Sequence, residues 1–258
     1  MPDNVLLRPI NYPASHEIAY RTAIYVLINT IQSQLNEEIA RADAKSRREY
    51  EAAITVVFAA WLTKSDLGEG LSKLFVNSLA KYHLRMFLTG IKVAAKVNVE
   101  PLISETVFNI AMKKSISDNV ELIKSIPKKL LDELKTAVSD AFYGVEFDKN
   151  QLEKTLLQRF NVSKSRAKLI ARDQTNKTIS AMTQNRNRQL GIEEYVWRGK
   201  MDHRERITHV QMEGQIVRYD TPPPIGHAGT PIRCRCLQQT VLPKSLMLKW
   251  NNMVRIPQ

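Results

Sequence analysis

Apolar side chains recur at three- and four-residue steps from Tyr20 to Phe160, and this spacing limits the possible folds more than any other feature. Residues at such steps share one face of an α-helix, which can then be buried against a neighbour. The first series is Tyr20, Ile24, Leu27, Ile28, Ile31, Leu35 and Ile39. The spacing predicts a helical domain over residues 15–160, preceded by an extended arm with three prolines over residues 1–14.

Local signals divide this helical domain into segments. The charged stretch EEIARADAKSRREYE, residues 37–51, is polar almost all round and is expected to continue the first helix. Pro127 is expected at a helix boundary, and Gly144 suits the end of the helix before it. Asp148, with Gln151 three residues later, forms a capping box for the next helix.

The pattern changes after Asn161. Ser163 is expected to cap a long helix that runs to Gly191. Its inward stripe would be Ala167, Ile170, Ala171, Gln174, Thr178, Met182 and Asn185. The two amides in this stripe either hold neighbouring groups by hydrogen bonds or face water.

Beyond Gly191 the apolar residues alternate, as in EEYVWRG and CLQQTVL, which predicts a small antiparallel sheet packed on the long helix. The proline-rich loop of residues 221–231 would lie on the surface or across the sheet edge. The fold class is therefore α+β, mostly α. Residues 161–258 would form a compact module of one long helix packed on a short antiparallel sheet.

Positive charge is concentrated in that module. Residues 161–258 hold 17 Lys and Arg against 7 Asp and Glu, whereas residues 1–160 hold 21 against 19. Such an excess suits contact with a polyanion or an acidic protein surface, and it also fits a solvated basic face with no partner. If the partner is DNA, the candidate contacts on the long helix are Lys164, Lys168, Arg186 and Arg188.

Signals for membrane insertion and export are missing from the sequence. The longest apolar run, Ala52 to Leu62, is shorter than the roughly 20 residues needed to cross a bilayer. The first residues lack a basic stretch followed by an apolar segment, so synthesis and residence in a reducing cytoplasm are expected. Two cysteines in 258 residues do not make a disulfide scaffold.

The densest polar cluster is DHRERITHVQMEG, residues 202–214, at a strand-to-turn junction. With RAKLIARDQTNKT before it and CRC after it, this order of motifs resembles the phage Mu protein F-like head morphogenesis family. The segment from Asn119 to Pro127 also looks like a helix that precedes this module in many members. The residues that carry the resemblance are Arg166, Ala167, Ala171, Arg172, Asp173, Gln174, Trp197, Asp202, Arg204, His209, Gly214, Cys234, Arg235 and Cys236.

The resemblance implies a virion protein of tailed bacteriophages, present in few copies inside the head or at the portal vertex and used in head assembly. It implies portal protein or major capsid protein as partners, with packaged double-stranded DNA nearby. The protein would be made in the cytoplasm of the host bacterium. A second hypothesis is a DNA-binding or ejected virion protein that assists genome delivery, and a third is a metal-dependent enzyme.

The chain departs from many relatives where Arg206-Ile-Thr-His209 replaces Cys-x-x-Cys. A four-ligand zinc site would then depend on His209, Cys234, Cys236 and His227. The favoured alternative is a structural lock, in which Asp202 pairs with Arg204 or Arg235 and the cysteines pack as small apolar groups. No metal and no cofactor are therefore predicted.

Catalytic motifs are incomplete in this sequence. Cysteine and histidine can form a nucleophile pair, but no glycine-rich phosphate loop, His-Glu-x-x-His or nucleophile elbow accompanies them. The prediction is a non-enzymatic structural protein. Tyr195 and Trp197 are expected in the core, and Arg172 is expected to pair with Asp173 or Asp202.

Overall fold

The computed structural model describes residues 4–144 and 146–254. In chain order the elements are strand β1 (Asn4–Leu6), helices α1 (Ala14–Arg41), α2 (Arg47–Leu62) and α3 (Glu69–Ala95), a 3₁₀ turn (Glu100–Leu102), helices α4 (Glu105–Tyr143) and α5 (Lys149–Gln189), strand β2 (Glu194–Arg198), helix α6 (Ile207–Val210), strands β3 (Ile216–Arg218) and β4 (Leu237–Pro243), and helix α7 (Lys244–Val254). The α+β, mostly α class expected from the sequence is confirmed. No helix within the described ranges has both the length and the apolar character needed to span a bilayer.

The described residues form two compact units, and neither is continuous in sequence. One unit, here called the sheet unit, combines the N-terminal segment up to His16 with residues 75–115 and the residues from Arg172 onward. The other, the helical unit, combines residues 17–74 and 116–171. This grouping differs from the division at residue 160 suggested by the sequence, because α3, α4 and α5 each contribute residues to both units.

The sheet unit contains a four-stranded antiparallel sheet in the order β1-β4-β2-β3. Its register places Tyr195 opposite both Thr240 of β4 and Val217 of β3. One apolar cluster of this unit contains Leu7, Phe87, Ile91, Ala95, Val97, Val99, Ile103, Leu190, Ile192, Leu242 and Trp250. A second contains Tyr195, Trp197, Val217, Tyr219, Ala228, Cys234 and Cys236, so the expected core placement of Tyr195 and Trp197 is confirmed.

The helical unit is built on the apolar series read from the sequence. Ile24, Ile28 and Ile31 of α1 are fully buried, as are Ile54 and Phe58 of α2. Two side-chain hydrogen bonds also join helices of this unit. The Tyr20 hydroxyl donates to Asn119 Oδ1 at 2.8 Å, and the Trp61 indole donates to Gln34 Oε1 at 2.7 Å.

Three helix boundaries differ from the sequence-based expectations. The charged stretch is broken after Arg41, because Asp43 takes a left-handed conformation (φ 43°) and Ser46 and Glu49 form a reciprocal capping box that begins α2. Pro127 lies inside α4, so that prediction was wrong. Helix α5 begins at Lys149 and passes through Ser163, because Asn161 and Val162 are tolerated within a helix and no glycine or proline interrupts it.

The N-terminal arm is extended, as expected, and part of it belongs to the sheet. Strand β1 pairs antiparallel with β4, with Val5 opposite Leu242. The Leu7 amide continues this pairing by donating to Thr240 O at 3.1 Å, and the Leu7 side chain is buried. The arm is therefore an edge strand of the same chain's sheet over residues 4–6; residues 1–3 lie outside the described residues.

Candidate functional site

The motif cluster lies on the connections that leave and re-enter the sheet. After β2 the chain turns at Gly199, forms the single helical turn α6 and returns as β3. Gly214 has φ +76° as the turn requires, and its amide donates to Trp197 O at 2.9 Å while the Trp197 amide donates to Gln215 O. These bonds place α6 beside the end of β2. The second connection, residues 219–236, leads from β3 into β4 and carries both cysteines.

A bidentate ion pair joins these two connections. The two terminal nitrogens of Arg235 donate to the two carboxylate oxygens of Asp202, and the Arg204 amide donates to Asp202 Oδ1 at 3.0 Å. These hydrogen bonds, first of all those from Arg235, hold the pKa of Asp202 well below its usual range. Of the two partners that the lock hypothesis offered for Asp202, Arg235 makes the bidentate pair, and the Arg204 guanidinium lies 3.9 Å from Asp202 Oδ2.

Four side chains of types that can bind metals lie close together between the two connections. His209 Nδ1 lies 3.3 Å from Cys236 Sγ and 3.7 Å from Cys234 Sγ. Glu205 Oε1 lies 3.3 Å from Cys236 Sγ and 3.5 Å from His209 Nδ1. The side chains of His209 and Glu205 are each only 3% exposed, and both cysteines are buried. We call these four residues the thiol cluster.

Glu205 was missed by the sequence reasoning, although a signal was present. It precedes His209 by four residues, a spacing that places two side chains on one face of a helical turn. His227, the fourth candidate, belongs elsewhere. Its Nδ1 lies 3.1 Å from the Tyr195 hydroxyl, and its ring packs edge-on against the Tyr195 ring.

The surroundings of the thiol cluster favour negative charge on Cys234. The Gly229 and Cys236 amides both donate to Cys234 Sγ at 3.4 Å. The pKa of Cys234 falls to about 7, with the hydrogen bond from the Cys236 thiol as the largest cause. The same contact raises the pKa of Cys236, and burial lowers that of His209. Cys236 and His209 are also poorly placed to attack a substrate, because both are buried and no substrate could reach the Cys236 sulfur unless the loops opened.

Helix α5 holds the cysteine-bearing loop through a buried polar stripe. Asn176 donates its amide to Cys234 O, and Ser180 donates its hydroxyl to Ala228 O at 2.7 Å. Asp173 accepts from the Arg233 amide at 2.9 Å. The middle of the loop is therefore buried at Ala228 and Gly229, which the expectation of a surface loop did not foresee.

The remaining motif residues are placed as follows. Asp173 pairs with Lys177 at 2.7 Å, whereas Arg172, expected to pair with Asp173 or Asp202, is exposed. Arg206 is exposed and donates to Ile232 O at 2.7 Å, tying α6 to the cysteine loop. Within the predicted amide stripe, Gln174 is buried, and Asn185 is half-buried and accepts from Gln189 at 2.7 Å.

Arg186 is not available to DNA, and this prediction was wrong. The residue is 1% exposed. Its guanidinium donates to His83 Nδ1 and to Ala80 O, and it stacks 4.1 Å from the centroid of the Phe108 ring. Because α3 supplies His83 and Ala80, more than 100 residues away, and α4 supplies Phe108, the sequence of α5 alone could not reveal that this charge is used inside the fold.

The other three candidate DNA contacts remain at least partly accessible. Lys168 and Arg188 are exposed, and Lys164 is half-buried. Arg188 donates to Tyr219 O at 2.7 Å, so one of its nitrogens is committed to the fold. Lys164 and Lys168 belong to the helical unit and Arg188 to the sheet unit.

Comparison with known proteins supports the resemblance. Residues 132–239 match the family model described as Phage Mu protein F like protein, a range that includes the whole thiol cluster and the Asp202–Arg235 pair. The chain is also similar to an uncharacterized protein of Haemophilus influenzae, with 36% identity over 155 residues. That match covers 60% of this chain and 33% of the relative, so the chain spans about a third of that relative's length. No solved structure matches the chain significantly.

Proposed function

We propose, from the Phage Mu protein F-like region that residues 132–239 form, that this protein acts in the head morphogenesis of a tailed bacteriophage. The observation that carries the proposal is this match, which contains the ordered motif set from Arg172 to Cys236. The protein would be a minor component of the virion, bound to the portal protein or to the inner surface of the capsid and close to packaged DNA.

The internal use of the motif residues supports a structural role. Asp202 and Arg235 pair with each other, Arg206 and Asp173 bond loop backbone, and the thiol cluster is enclosed. A catalytic constellation needs side chains that can reach a substrate, whereas these side chains brace two loops against each other. We therefore favour a non-enzymatic assembly protein over a metal-dependent enzyme.

Binding to portal protein is tested by co-expression of the full chain with the portal protein or the major capsid protein of the same phage. Co-purification with one of them should survive nuclease treatment of the lysate, because the proposed contact is between proteins. Loss of the complex after nuclease would show that DNA alone bridged the two. Absence of a complex with either protein before nuclease treatment would contradict the proposal.

Contact with DNA is supported by the basic excess of residues 161–258 and by the accessibility of Lys164 and Lys168. Binding to phosphates releases counterions, so affinity for random duplex DNA should fall steeply with salt. Replacing both lysines by alanine should weaken binding and lower the log–log salt slope by about 2, roughly one per lost phosphate contact.

The matched control is Lys128→Ala with Lys129→Ala, which removes the same charge from exposed positions of α4 outside residues 161–258. This control should keep the original salt slope. Equal weakening by both double variants would mean that net charge, and not a contact on α5, governs binding. No binding of the parent at low salt would refute a DNA contact.

A further inference from the structure

Three side chains of the thiol cluster, His209, Cys234 and Cys236, are placed to hold one metal ion, and Glu205 lies next to two of them. Bond lengths to zinc of about 2.0–2.3 Å give a tetrahedron whose edges are about 3.3–3.8 Å long. Four of the six separations among Glu205 Oε1, His209 Nδ1, Cys234 Sγ and Cys236 Sγ lie between 3.3 and 3.7 Å. Both sulfurs and the ring nitrogen also lie within 4.8 Å of one another. We propose that Glu205, His209, Cys234 and Cys236 bind one zinc ion in a closed structural site.

Hydrogen bonds from neighbouring groups hold the side chains of Glu205 and Cys234 in place. Glu205 turns Oε1 towards the cluster while its other oxygen accepts from the Lys200 amide at 2.8 Å and lies 3.9 Å from Arg235. The backbone amides of Gly229 and Cys236 both donate to Cys234 Sγ. Outer hydrogen bonds of this kind orient metal ligands and stabilise thiolates.

Charge balance also favours a cation at this point. Two thiolates and a carboxylate would place three negative charges in this cluster, with Glu205 Oε1 3.3 Å from Cys236 Sγ, and their side chains are nearly excluded from water. A divalent ion would neutralise two of these charges. Arg235, which already pairs with Asp202, also lies 3.9 Å from Glu205 Oε2. Binding releases the thiol protons to solvent, so the cluster changes from two protonated thiols to two metal-bound thiolates.

The ligand types select the metal. Thiolate and imidazole donors suit zinc, whereas calcium and magnesium prefer oxygen ligands. Four protein ligands on buried side chains leave no open coordination position, which is the mark of a structural site and not a catalytic one. The ion would join α6 to the segment that enters β4, in parallel with the Asp202–Arg235 pair.

The test measures bound metal in the untagged full chain, purified after growth with added zinc, by elemental analysis. About one zinc per chain is expected. Cobalt replacement should give the visible absorption of tetrahedral cobalt together with sulfur-to-cobalt charge transfer. Chelator treatment should lower the thermal midpoint, and restored zinc should recover it.

Variants separate a metal site from simple packing. Cys234→Ser with Cys236→Ser, and separately His209→Ala, should lose zinc, whereas His209→Cys should keep it because a thiolate replaces the imidazole. His227→Gln is the matched control and should bind zinc like the parent. If a variant fails to fold, the parent's metal content, cobalt spectrum and chelator response decide the question alone.

Two results would overturn the proposal. One is less than about a tenth of an equivalent of zinc in the parent after reconstitution, with no effect of chelator on its melting. The other is full zinc content in the double serine variant, which would place the ion elsewhere.

Discussion

Acidification should destabilise the sheet unit through the buried pair of His83 and Arg186. His83 Nε2 lies 2.8 Å from Thr183 Oγ1, and that hydroxyl already donates to Ile179 O at 3.0 Å. The hydroxyl must therefore accept from Nε2–H, which leaves Nδ1 without a proton as the acceptor for Arg186. The pKa of Arg186 is lowered to about 10 by burial, so its guanidinium stays charged at neutral pH.

Burial and the neighbouring charge of Arg186 hold the pKa of His83 well below its usual value. In the unfolded chain the imidazole takes up a proton near pH 6.5, and in the folded chain it does so only at much lower pH. The unfolded state thus binds more protons over this range, and stability present above pH 6.5 is lost as the pH falls. The slope is about 1.4 kcal/mol per pH unit, which gives about 2 kcal/mol between pH 7.5 and 5.0.

The assay is urea denaturation across this pH range in a Trp61→Phe background. The signal then comes from Trp197 and Trp250, which lie in the same unit as His83. His83→Asn removes the titrating group, and its stability difference from the parent should change by about 2 kcal/mol from pH 7.5 to 5.0. The exposed His203, changed to Asn, should behave like the parent. A constant difference, within about 0.5 kcal/mol, would refute a buried neutral His83.

Three further changes have defined outcomes, each measured by urea denaturation. Asn187→Ala removes a side-chain amide that donates to the Tyr219 hydroxyl at 2.7 Å and to Thr240 Oγ1. The free energy of unfolding should fall by about 2–4 kcal/mol, and a loss below about 0.5 kcal/mol would mean that water replaces these hydrogen bonds. Gly229→Ala should lower the free energy of unfolding by about 1–3 kcal/mol, because the φ of this residue is +87° and the added Cβ would lie 3.0 Å from Ser180 Cβ of α5. Unchanged stability would show that the loop shifts to make room. Ser46→Ala should cost about 1 kcal/mol by removing the cap of α2, and a neutral result would mean that Glu49 suffices.

Helices and sheet could be predicted because their signals are local. The three- and four-residue spacing identified the buried face of α1, and alternation identified β2 and β4. Ser46 and Glu49 form a capping box that can be recognised in the sequence. The helix break before it was nevertheless not predicted, because the charged residues around it suggested one continuous polar helix. Pro127 shows the opposite case, since packing of a 39-residue helix outweighed a helix-breaking residue.

The site could be predicted only in part because its contacts join distant segments. Arg235 was one of two partners expected for Asp202, and the cysteine–histidine contact belonged to the zinc alternative, which was not the favoured one. The role of Glu205 needed the turn geometry of α6, and the burial of Arg186 needed α3. Long-range partners of this kind are set by tertiary packing, which residue type and spacing do not encode.

The pairing of β1 with β4 has a consequence for how this protein is made and dissected. The sheet of this unit cannot be completed during translation until β4, which ends at residue 243, has been synthesised. Residues 4–7 therefore lack their pairing partner through most of synthesis. The same interleaving applies to fragments: a piece cut at residues 132 and 239 would lack β1, the last residues of β4, and Phe87 and Ile91 of the apolar cluster. The boundaries of sequence similarity are therefore poor places to truncate this chain for expression.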